Sequence, residues 1–96
     1  MADDSGSKVW FITGCSSGFG RALSEAVLAR GDRLIATARN LATIQDLADR
    51  APDQCHVLEL DITHHSQVHQ VIQQAALIWG RLDVVVNNAG CGLIGA

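Results

Sequence analysis

Ninety-six residues with 48% hydrophobic and 18% charged side chains read as one globular unit and exclude a disordered, collagen-like or coiled-coil chain. The formal net charge is −3, with acids and bases scattered, so there is no basic patch to attract nucleic acid or an anionic membrane surface. Cys15, Cys55 and Cys91 are odd in number and too separated for a CxxC pair, which predicts reduced thiols in a cytoplasmic protein and no disulfide framework.

Residues 1–7 (MADDSGS) have neither the basic nor the apolar region of a secretion signal, and are expected to be a flexible start to one domain over 8–96. The apolar runs are strand-length, too short to span a bilayer. Residues 8–13 (KVWFIT) predict a first strand. After a glycine-rich turn, Phe19, Ala22, Leu23, Ala26 and Val27 fall on one face of a helix, which Gly31 stops. Residues 33–38 (RLIATA) predict a second strand. Asn40 is the expected N-cap of a helix with Leu41, Ile44, Leu47 and Ala48 on one side, and Pro52 prevents its continuation. A third strand follows at 55–60 (CHVLEL). Thr63 can then cap a helix striped by Val68, Val71, Ile72, Ala75, Ala76 and Trp79, which Gly80 ends. Residues 82–87 (LDVVVN) predict a fourth strand, and 90–96 a loop with no fifth element.

Strict alternation of strand and helix, with no repeat or linker, argues for parallel strands joined by right-handed crossovers. The expected fold class is α/β, a doubly wound parallel sheet of order 3-2-1-4, stopping after the fourth strand. Such winding puts the first two helices on one face and the third on the other. Both faces need cover, because residues 9–12 and 84–86 are apolar at consecutive positions.

The turn Thr13-Gly14-Cys15-Ser16-Ser17-Gly18-Phe19-Gly20 lies between the first strand and the first helix. Gly14 suits a tight turn, Gly18 a close backbone approach to a ligand, and Gly20 close helix–strand packing. The amides opening the helix would then face a pyrophosphate, whose negative charge the helix dipole favours.

The spacing Gly14-x-x-x-Gly18-x-Gly20 resembles the TGxxxGxG signature of short-chain dehydrogenases/reductases. Asn87-Asn88-Ala89-Gly90 resembles that family's NNAG motif, and Leu60-Asp61-Ile62 its acidic turn after the third strand. The resemblance implies a Rossmann-type fold and an oxidoreductase acting on alcohol or carbonyl groups with a nicotinamide dinucleotide. It implies that Gly14, Ser16, Ser17, Gly18, Phe19 and Gly20 line the pyrophosphate and adenosine side. Asp61 would accept from the adenine amino group with Ile62 against the ring. Asn88, Ala89 and Gly90 would border the nicotinamide ribose, and Asn87 would tie the sheet together.

An NAD-specific site usually carries Asp or Glu at the end of the second strand, where it binds both ribose hydroxyls. Ala38 stands there, followed by Arg39, whose guanidinium fork suits the 2′-phosphate of NADP. No nearby carboxylate is expected to repel that phosphate, so NADP is favoured over NAD, with help from Ser16. Family members often add a basic residue inside the glycine loop, where this chain has Ser17.

His65 and His69 have i,i+4 spacing beside His64, but no third ligand is evident and solvated histidines are expected, not a metal site. Cys15, near a helix start, reads as a small loop filler. The resemblance also implies a catalytic Ser and a Tyr-x-x-x-Lys pair. The chain contains no tyrosine, and its single lysine is Lys8. No catalytic residue is therefore assigned, and the expectation is a cofactor-binding half from a truncated gene model or a fragment. A lipophilic alcohol or carbonyl substrate, and a homo-oligomer, are expected only of a full-length form. The alternative is a non-catalytic dinucleotide-binding or interaction module, which reading the genome downstream of Ala96 would discriminate. A methyltransferase-like fold would require an acidic ribose ligand where Ala38-Arg39 stands.

Overall fold

The computed structural model describes residues 7–16 and 18–88. Its elements are β1 (Val9–Ile12), α1 (Gly18–Ala29), β2 (Arg33–Ala38), a 3₁₀ turn (Leu41–Thr43), α2 (Gln45–Arg50), β3 (Cys55–Glu59), α3 (His65–Ile78) and β4 (Val84–Val86). All pairings are parallel, and the sheet order is β3-β2-β1-β4, the predicted Rossmann-type winding. β2 occupies its whole apolar run, whereas β1, β3 and β4 stop short of theirs. The expected loop over 90–96 and nearly all of the expected flexible start lie outside the described residues.

Alternate strand residues feed two cores. On one face Ile12, Leu34 and Ala36 pack with Val27, Ile44 and Leu47, which places α1 and α2 together. On the other, Val9, Phe11 and Ile35 meet Val71 and Ala75 of α3. At the N-terminal ends of the strands, buried Asp32 accepts from the Lys8 amide at 3.2 Å and from Trp10 Nε1 at 3.0 Å, so its carboxylate is not left unpaired. Asp83 accepts from the Val9 amide at 2.8 Å and from Arg81 Nε at 2.9 Å, tying β4 to β1.

The buried face of α1 differs from the predicted one. Gly20, Ser24 and Val27 are buried, whereas Ala22 and Ala26 are exposed and Phe19 is 65% exposed. Only Leu23 and Val27 of the expected stripe turn inward. Gly20 and Ser24 allow the closest approach to the sheet, the Ser24 hydroxyl donating to the Gly20 carbonyl at 2.7 Å. Neither counts as apolar in a periodicity reading. Gly31 ends the turn after α1 as predicted, at φ 87°, with its amide bonded to the Leu28 carbonyl at 3.0 Å.

Two further helix readings are corrected. The stretch after β2 is not one helix: it breaks at Ile44, which has φ −125° and ψ 2° because its side chain turns into the core. Asn40 does cap its start, Oδ1 accepting from the Ala42 amide at 3.0 Å. Thr63 is not the cap of α3, which begins after His64. The Thr63 hydroxyl donates instead to Asp61 Oδ1 at 2.6 Å, which closes a side-chain turn ahead of the helix.

Candidate functional site

The C-terminal ends of the four strands converge on the glycine turn. Gly14 and Gly18 take φ of 67° and 63°, a region that L side chains enter at a cost. The Cys15 amide reaches the Thr37 carbonyl of β2 at 3.0 Å, and the Thr13 amide reaches the Val86 carbonyl of β4 at 3.0 Å. Two asparagines complete the seam: the Thr13 hydroxyl donates to Asn87 Oδ1 at 3.1 Å, and Asn88 Nδ2 donates to the Gly14 carbonyl at 3.1 Å. Asn87 thus joins the strand ends as expected, and Asn88 braces the turn from behind.

Gly20 sits where the first turn of α1 crosses this loop. A Cβ there would lie 2.1 Å from the Gly14 oxygen and 2.5 Å from Asn88 Nδ2. The predicted close packing is therefore a contact with the turn itself.

In front of the turn opens a cleft of about 480 Å³, to which Gly14, Ser16, Arg39, Asp61 and Ile62 all contribute. Ala38 and Leu60 form its floor, joined by a bond from the Leu60 amide to the Ala38 carbonyl at 3.0 Å. Gly18, Phe19, Gly20 and Asn88 are not part of its lining, and Ser17, Ala89 and Gly90 lie outside the described residues. Asn40, Thr43 and Thr63 also line the cleft; the sequence marked Asn40 and Thr63 only as helix caps and Thr43 not at all. The signal was the cap itself: a residue that folds the chain back after Arg39 brings its neighbours to the same wall.

The hydroxyl and then the amide of Thr63 hold the Asp61 carboxyl below the ordinary carboxylate range, with smaller help from the charges of His64 and Arg39. Asp61 is thus an anion across the cleft from Arg39, within its electrostatic reach. This corrects the expectation that no carboxylate stands nearby: the crossover from β2 to β3 brings one across. Asp61 Oδ1 already accepts twice from Thr63, at 3.0 and 2.6 Å, and Oδ2 stands 3.6 Å from His64 Nδ1.

Burial pushes the Cys15 thiol up despite its place near a helix start, and its Sγ lies 3.2 Å from the Ile12 carbonyl as a donor. Cys55, also buried, is pushed up to about 12 by the same cause. In a Cys91→Ser variant, an aromatic disulfide reagent at neutral pH is expected to leave both thiols unmodified until denaturant is added. Rapid reaction in the native state would show that the core opens. His64, His65 and His69 are exposed, and among the described residues no three metal-ligating side chains come together. No helix among them is long and apolar enough to cross a membrane.

The family model described as short chain dehydrogenase matches residues 8–95. The chain is 43% identical over 84 residues to "Oxidoreductase BOA17" of Botryotinia fuckeliana, covering 86% of this chain and 31% of that protein. It is 29% identical over 82 residues to the NADP-dependent 3-hydroxy acid dehydrogenase YdfG of Shigella flexneri, covering 85% of this chain and 33% of that protein. Among solved structures, a short-chain dehydrogenase from Streptomyces avermitilis superposes with a TM-score of 0.88 at 42% identity, over 98% of this chain and 35% of that one. The chain thus spans about a third of the length of these relatives.

Proposed function

The chain belongs to the short-chain dehydrogenase/reductase family, and on that premise we propose that its cleft binds NADP(H) in preference to NAD(H), for oxidoreduction of alcohol and carbonyl groups by the whole protein. The observation that carries the preference is Arg39, on the cleft wall next to Ala38, where an NAD-binding site would hold an acidic residue. The YdfG relative is by its name NADP-dependent.

The residues fit such a ligand. Gly14 and Gly18 present no side chain at the two ends of the turn, and Gly18, Phe19 and Gly20 start a helix of 12 residues whose first amides would face a pyrophosphate. Ser16 lies at the mouth of the turn, with Ser17 next to it in sequence. The Arg39 guanidinium pairs with a 2′-phosphate through its planar fork. Asp61 and Ile62 border the adenine, and Asp61 accepts from its amino group through Oδ2, the oxygen that Thr63 leaves available. Asn88 holds the turn against the end of β4 through its bond to the Gly14 carbonyl, and Ala89 and Gly90, next in sequence, would border the nicotinamide ribose. When bound, the dinucleotide supplies or takes up a hydride. The described residues would bind and orient it, and with no tyrosine the chain does not carry the proton-donating Tyr-x-x-x-Lys pair that the family resemblance implies.

The test is a titration of NADP⁺ and NAD⁺ against the wild type and Arg39→Ala. Loss of a charge-assisted phosphate contact is expected to weaken NADP⁺ binding about tenfold or more and leave NAD⁺ nearly unchanged. An unchanged preference in Arg39→Ala would remove the assignment.

A further inference from the structure

A wall that reads a phosphate is selective only while its distance from the glycine turn is fixed. Here the wall after Arg39 is loop and 3₁₀ turn, held in three ways. It is closed on itself, the Thr43 hydroxyl donating to the Asn40 carbonyl at 2.7 Å. It is anchored in depth by Ile44 and Leu47, both fully buried. Sideways, it is tied to the helix that carries the turn by Arg21.

The Arg21 guanidinium forks onto both carboxylate oxygens of Asp46 and donates to the Thr43 carbonyl at 3.3 Å. Its Nε donates to Glu25 Oε2 at 3.1 Å, and Arg50 closes on the other Glu25 oxygen at 2.5 Å. The charges alternate along Asp46, Arg21, Glu25 and Arg50, joining α1 to α2. These groups are partly exposed, so they add little to global stability. A two-point guanidinium–carboxylate contact does fix direction. Arg21 itself is not among the residues lining the cleft, whereas Thr43 is.

We infer that Arg21 is a positioning residue for cofactor choice: through Asp46 and Thr43 it sets the spacing between the wall bearing Arg39 and the glycine turn. This rests on the reading that Arg39 takes the 2′-phosphate. NAD has no such phosphate and is indifferent to where Arg39 stands, so the inference separates from a general packing role.

The test measures NADP⁺ and NAD⁺ affinities of the protein at its full natural length, as wild type, Arg21→Gln, Asp46→Asn, the double variant and Arg39→Ala. Both single changes are expected to weaken NADP⁺ about three- to fivefold while NAD⁺ moves less than about twofold. The double variant should be no worse than either, since both remove one contact. Asp46→Asn, at an exposed position, carries the test if Arg21→Gln does not fold. Equal losses for both cofactors would reveal a merely structural role and overturn the inference. An unchanged preference in the Arg21 and Asp46 variants, with a collapsed one in Arg39→Ala, would overturn it while leaving the Arg39 reading intact. An unchanged preference in Arg39→Ala would overturn both.

Discussion

Replacing Gly20 by alanine is expected to abolish dinucleotide binding and to lower stability by about 3 kcal/mol, the upper range for forcing an atom into a filled site. The added carbon would meet the Gly14 oxygen at 2.1 Å and the Gly14 carbonyl carbon at 2.9 Å. Both are backbone and cannot swing aside. Asn88 Nδ2, at 2.5 Å from the added carbon, can rotate, but only by giving up its bond to Gly14. Relief therefore requires α1 to lift or the turn to move, and either displaces the α1 amides proposed to meet the pyrophosphate. Gly31→Ala is the control, since nothing lies within 4 Å of a carbon there, and only the positive φ costs about 1 kcal/mol. Urea unfolding and nucleotide titration of both variants decide the matter. A Gly20→Ala protein with wild-type midpoint and affinity would refute the packing argument.

The 96-residue polypeptide expressed alone is expected to self-associate and to show no turnover on any alcohol or carbonyl panel. Phe11 is paired with Val85 in register, and Val85 is 52% exposed. Beside it a cavity of about 540 Å³, lined by Phe11, Val68, Ile72 and Val85 among others, opens between α3 and β4. α1 and α2 share the other face, so α3 alone covers this one among the described residues. β4 ends the sheet order, and among the described residues no strand pairs with its outer edge, which leaves it open to another chain. Sedimentation with thermal unfolding tests this: a soluble monomer melting cooperatively at about 45–65 °C, the ordinary mesophile range, would sink it. Turnover surviving repurification would mean that some residue here replaces the absent tyrosine.

The strand order was legible in the sequence because four apolar runs alternate with helical stretches, and a parallel sheet leaves few ways to connect them. The glycine turn was legible because its residues are contiguous. What escaped depends on contacts across elements. The inward face of α1 is set by Gly20 and Ser24, which no hydropathy pattern marks, and the break at Ile44 comes from tertiary packing overriding a helical period. Asp61 comes into reach of Arg39 only through the fold, since 22 positions separate them. Arg21 and Asp46, 25 positions apart, are invisible as a pair until α1 and α2 are laid on the same face.

The seam between β1 and β4 also carries a timing. The bonds Val9–Asp83, Thr13–Asn87 and Gly14–Asn88 each join residues 74 positions apart, whereas the β1–β2 register pairs residues 24 apart, as in Val9 with Arg33. On the ribosome the three-stranded sheet β3-β2-β1 can therefore assemble while β1 still has one naked edge and the glycine turn lacks its brace. The last residues of the seam to be synthesised are the ones that set the turn. A nascent chain halted before Asn88 carries every glycine of the turn and yet not the side chain that holds Gly14 in place.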